Sequence, residues 1–398
     1  MSKSIEALVK PELLAWARKS AGLTVDEAAR KAHVKPDRLE CWEKGERRPT
    51  LRQLRELARI YKRPLAVFYL PEPPRDFQPL RDFRRILQKV EGVESPELRH
   101  EIRRAWDRRD IALELYEELE GELPKFSPSA MLSDDPETLA EKIRNLLGVK
   151  REVYSGFRDK YDALNWWRAA LENLGVLVFQ ARNIEPAEMS GFSISETPFP
   201  VIVLNIKDPV RRRIFTMLHE LTHILLQDGG LCDVEEEYER APEDQRVEVF
   251  SNRVAGAVLV PETELLQEDI VARKGRMADW ANEEIEELAN RFWVSRETLL
   301  RRLLICGKTT AQFYKKKKLE YEKQYKLRKA EVEHGFAPPY RLAISVAGLF
   351  FVRLALNSYY QERISAGDLS DFLNIKLRHV GRIEQEVMGR FVEFGVAS

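Results

Sequence analysis

Arg213-Ile214-Phe215-Thr216-Met217-Leu218-His219-Glu220-Leu221-Thr222-His223-Ile224-Leu225-Leu226 is the stretch that decides the fold. Phe215, Leu218, Leu221, Thr222, Leu225 and Leu226 make it a largely apolar helix, which buries. Asp208-Pro209 ahead of it supply a capping residue and a proline for the first helical position, so the helix runs from there to about Gln227. His219 and His223 are four residues apart and project from one face, about one turn apart. At that spacing both imidazoles reach a single zinc ion with bonds of about 2.0–2.1 Å. Glu220 stands beside them, where a carboxylate can hold and deprotonate a water that zinc has acidified. Buried histidines beside a buried carboxylate need partners, and a metal ion provides them. The chain has only six histidines, and two are here.

Working outward, strand signals precede this helix at Val176–Phe179, Gly191–Ile194 and Val201–Leu204. A second helix follows at roughly Pro242–Leu259 and stops at Pro261. No third histidine follows the motif within a short loop, so a third ligand has to come from further on. Glu248 is one candidate, with Asn252 four residues on along the same face as a supporting group. Glu243 and the run Glu235-Glu236-Glu237 are rivals, and that run reads as solvated loop charge.

These segments resemble the ImmA/IrrE-type metallopeptidases. Arg213–Leu218 leading into the HExxH, with Ile224-Leu225-Leu226 after it, looks like that family's central helix. Glu248–Pro261 looks like its E-x-x-A-N-x-F-A-x-x-L-L-x-P element. The departures are Ser251 for Ala, Val254 for Phe and Val258 for Leu, which touch packing and leave the ligand positions intact. The resemblance implies a zincin-like α+β core and one Zn2+ per chain held by His219, His223 and Glu248, with Glu220 as the catalytic base. It implies an endopeptidase acting on a helix-turn-helix repressor in stress or mobile-element regulation. It also implies that substrate adds as a strand along Val201, Ile202, Val203, Leu204 and Asn205. The rival reading is a transcription regulator or antitoxin-like protein whose metal site is structural or sensory.

The N-terminal segment carries different chemistry. Pro11–Ala21 is amphipathic and Gly22 ends it, and Thr24-Val25-Asp26-Glu27 is a capping box for a second helix. A third helix spans about Lys35–Lys44 up to Gly45, and Thr50 caps a fourth. Two short helices joined by a tight turn are the geometry that places a helix in the major groove. Lys35, Asp37 and Arg38 open that helix and suit base edges, while Lys44, Arg47 and Arg48 suit phosphate. With Leu23–Ala29 and Trp42-Glu43-Lys44-Gly45-Glu46-Arg47-Arg48-Pro49-Thr50, the segment resembles the lambda-repressor-like (XRE) helix-turn-helix family. The resemblance implies double-stranded DNA as partner, bound by a homodimer.

Charge agrees with this division. The whole chain of 398 residues has 65 Lys+Arg and 65 Asp+Glu, but residues 1–70 carry 16 against 9. That excess suits a polyanion at one end only. Three distant cysteines give no disulfide framework, and no apolar run approaches a membrane span, so the expected location is cytoplasmic, without a membrane partner. Residues 284–303 read as a second helix-turn-helix whose Arg296, Arg301 and Arg302 could meet phosphate, though the glutamates of its first helix favour a structural role. The expected class is mainly α with a small β-sheet. A five-helix DNA-binding domain takes residues 1–70, a proline-rich linker 71–80 and the peptidase domain with its helical lead-in 81–265. The second helix-turn-helix region covers 266–334 and a helical region 335–398.

Overall fold

The computed structural model describes residues 6–74, 81–82, 95–227, 230–232, 242–329 and 338–394. It divides into two compact units, the first of residues 1–79 and 88–107, the second of residues 80–87 and 108–398.

In the first unit, helices at Pro11–Ser20, Val25–Lys31, Pro36–Glu43 and Leu51–Ile60 are followed by a 3-10 turn at Leu65–Tyr69. Thr24 and Thr50 form capping boxes with Glu27 and Gln53. Leu14, Ala17, Ala28, Ala29, Leu39, Trp42, Leu54 and Leu57 make the core. Arg18 donates to both Glu43 oxygens at 2.7 and 2.8 Å and to Leu23 O at 2.9 Å, tying the first helix to the third. Gly45 has φ +76°, and a Cβ there would meet Pro11 Cγ at 2.9 Å, so this stop has to be glycine.

Among the described residues, the second unit is built on a five-stranded mixed sheet of β1 (Arg81–Asp82), β2 (Leu177–Ala181), β3 (Gly191–Ile194), β4 (Val201–Asn205) and β5 (Gly230–Cys232). Its order is β1-β5-β3-β4-β2. β4 pairs in parallel with β2, Leu177 opposite Val201, and antiparallel with β3 on its other side. This corrects the reading of Val201, Ile202, Val203, Leu204 and Asn205 as a substrate strand. Both of its edges are already hydrogen-bonded, so no further strand can add. Its unbroken apolar run is the pattern of a strand buried on both faces.

The motif helix is Val210–Leu225, and every residue from Arg213 to Leu225 is buried. Pro209 occupies its N-cap rather than its first turn, and no side chain caps it. The helix Pro242–Leu259 packs against it. Cations hold carbonyls at the end of that second helix: Arg144 donates to Val258 O at 2.8 Å, and Arg302 donates to Val260 O, one residue past the helix, at 2.8 Å.

Arg302 is buried and also donates to both Glu137 oxygens at 2.7 and 2.9 Å. Arg296 stacks over Tyr321 at 4.4 Å, and Arg301 donates to the Tyr314 hydroxyl at 3.3 Å. The helices Asn282–Arg291 and Arg296–Ile305 thus spend these arginines on packing, in line with the structural role. The helix Pro339–Ala347 covers β2: Gln180 Nε2 and Arg168 Nη1 donate to Ser345 O at 2.7 and 3.0 Å. Covering an outer strand removes a site for unwanted pairing. Among the described residues no single helix is long and apolar enough to cross a membrane.

Candidate metal centre

The motif helix carries His219 and His223 one turn apart, and the helix Pro242–Leu259 brings Glu248 to them. His219 Nε2 lies 3.1 Å from His223 Nε2 and 3.6 Å from Glu248 Oε2, and His223 Nε2 lies 3.4 Å from Glu248 Oε1. Bonds of about 2.0–2.1 Å at a tetrahedral ion separate neighbouring ligand atoms by roughly 3.3–3.4 Å. The three distances therefore fit one zinc-sized ion. Among the described residues these three side chains are the one such group, and all are buried. Of the rival ligands, the side chain of Glu243 and residues 235–237 lie outside the described residues.

Burial by itself would raise the Glu248 carboxyl, but the adjacent imidazoles, His219 foremost, hold it well below the usual carboxylate range. Two imidazole nitrogens and a carboxylate are a donor set for a divalent cation. Asn252 Oδ1 lies 3.0 Å from His219 Nδ1, one helical turn beyond Glu248.

Glu220 is fully buried and turns toward the sheet, where Ser193 Oγ donates to its Oε2 at 2.8 Å. Sequence reasoning missed Ser193 and also Gly191. A Cβ at Gly191 would stand 2.6 Å from Thr216 Cγ2 and 3.0 Å from Glu220 Oε1, so only a glycine lets β3 lie this close to the motif helix. The available signal was two small residues, two apart, on a strand just before the motif.

In the first unit, Lys35, Asp37, Arg38, Lys44, Arg47 and Arg48 are all exposed along the third helix and the turn after it. Arg38 lies over Trp42 at 5.5 Å, and Lys44 pairs with Glu40 at 3.0 Å.

Family models resolve the two units. Residues 171–304 match the peptidase model described as an IrrE N-terminal-like domain, and residues 14–68 match one described as helix-turn-helix. The chain fuses an XRE-type helix-turn-helix domain to an IrrE N-terminal-like domain. The IrrE N-terminal-like match holds the HExxH, Glu248 and the sheet strands β2–β5, and it ends at residue 304, within the helix Arg296–Ile305. No curated protein matches the chain.

Proposed function

We propose that the chain is a zinc-dependent endopeptidase that binds double-stranded DNA as a homodimer and cleaves a helix-turn-helix repressor. The observation that carries the reading is the convergence of His219 Nε2, His223 Nε2 and the Glu248 carboxylate within ion-binding distance, with Glu220 next to them in the chain. His219, His223 and Glu248 would hold the metal. Zinc, when bound, supplies Lewis acidity toward a peptide carbonyl and a water acidified to about neutrality. Glu220 takes the proton of the attacking water on its carboxylate and returns it to the departing amine. Ser193 orients that carboxylate through the 2.8 Å bond to Oε2. The exposed Lys35, Asp37 and Arg38 address base edges and Lys44, Arg47 and Arg48 the phosphates.

Complete burial of His219, Glu220, His223 and Glu248 supports a second reading, a regulator whose metal is structural or sensory. One experiment separates the two: purified wild type and Glu220→Gln are incubated with zinc and helix-turn-helix repressors encoded beside the gene. The peptidase reading expects cleavage by the wild type and loss of cleavage in Glu220→Gln with zinc retained. Full cleavage by Glu220→Gln would refute the mechanism, and no cleavage by the wild type would favour the regulator.

A further inference from the structure

The ligand helix does more than deliver Glu248. Asn252, one turn further along it, is 1% exposed and sets its amide oxygen 3.0 Å from His219 Nδ1. An amide oxygen only accepts, so the bond exists only for the imidazole tautomer protonated at Nδ1. In that tautomer the lone pair is on Nε2, the nitrogen that faces His223 Nε2 at 3.1 Å and Glu248 Oε2 at 3.6 Å. The opposite tautomer would put a hydrogen where a cation has to go. A single helix thereby supplies a ligand and sets the protonation pattern of a ligand on its neighbour.

We propose that Asn252 is a positioning residue that fixes the tautomer and ring orientation of His219 for metal binding. The inference rests on the metal reading given above. Outer hydrogen-bond partners of ligating histidines are worth about 10–100-fold in metal affinity. Two replacements isolate the effect. Asn252→Leu keeps the side chain's size and removes the acceptor, and Asn252→Asp keeps an acceptor at the same place.

The test is zinc affinity, measured on the full chain by competition with a chromogenic chelator. Glu248→Ala serves as the ligand control, and circular dichroism confirms that each variant is folded. The expected result is zinc binding about 10–100-fold weaker in Asn252→Leu and at least as tight as wild type in Asn252→Asp. Wild-type affinity in Asn252→Leu, with zinc lost in Glu248→Ala, overturns the inference and leaves the metal reading standing. Equal losses in Asn252→Leu and Asn252→Asp also overturn it, because packing rather than the acceptor would then matter. A wild type that takes up no zinc overturns the metal reading and the inference with it.

Discussion

Gly191 is where a single methyl group tests the architecture of the site. An alanine there would place its Cβ 2.6 Å from Thr216 Cγ2, 3.0 Å from Glu220 Oε1 and 3.1 Å from Val203 O. Carbon atoms in contact prefer about 3.5–4.0 Å, so the clash with Thr216 is roughly 1 Å deep. Thr216 is fully buried, and a β-branched side chain in a helix has little rotamer freedom with which to withdraw. Val203 O belongs to β4, which is paired on both edges, and is equally fixed. The methyl group can be admitted only by moving β3 off the motif helix, which stretches the bond from Ser193 to Glu220. Overpacking of this kind costs about 1–3 kcal/mol. Urea unfolding followed by fluorescence should show a loss of that size for Gly191→Ala. Adding Thr216→Ser, which deletes Cγ2 and keeps the hydroxyl, should restore part of it, a non-additivity that reports direct contact. An unchanged midpoint in Gly191→Ala, or strict additivity of the pair, would show that β3 and the helix are not packed as described.

Two further outcomes follow from the same structure. Zinc present at a thousandfold excess over its Kd should stabilise the protein by about 4 kcal/mol relative to chelator-treated protein, and Glu248→Ala should abolish that difference in a thermal-unfolding comparison. In DNA binding at graded salt, Arg47→Ala and Arg48→Ala should each weaken binding to all sequences and lower the salt slope by about 1, whereas Arg38→Ala should cost about 1–3 kcal/mol at the preferred site and relax sequence preference; uniform weakening by all three would remove Arg38 from base recognition.

The motif helix and the helix-turn-helix unit were legible because their signals are local. HExxH occupies one helix, and the boxes at Thr24 and Thr50 mark helix starts within three residues. By spacing alone Glu248 was one of several acids, since distance along the chain does not say which carboxylate a fold returns to the histidines; the resemblance of Glu248–Pro261 to a family element is what singled it out. The strand order was not legible at all. β4 follows β3 in sequence and pairs with it, but its other edge is taken by β2, which precedes both, and nothing local records that parallel partner. Ser193 stayed hidden for the same reason, since it acts through a bond to a residue 27 positions away; Asn252 was legible as a supporting group from its place one turn beyond Glu248, but not the histidine nitrogen it meets 33 positions back. Arg296, Arg301 and Arg302 read as candidate phosphate ligands because sequence shows charge but not the aromatic rings, Val260 carbonyl and Glu137 that occupy them.

The central claim is that two helices hold one zinc ion through His219, His223 and Glu248. Metal content of the purified full chain, read by inductively coupled plasma mass spectrometry beside His223→Ala and Glu248→Ala, tests it most directly. About one zinc per wild-type chain and none in either variant is the expected result. No zinc in the wild type after zinc is supplied, or a full complement retained by Glu248→Ala, would contradict it.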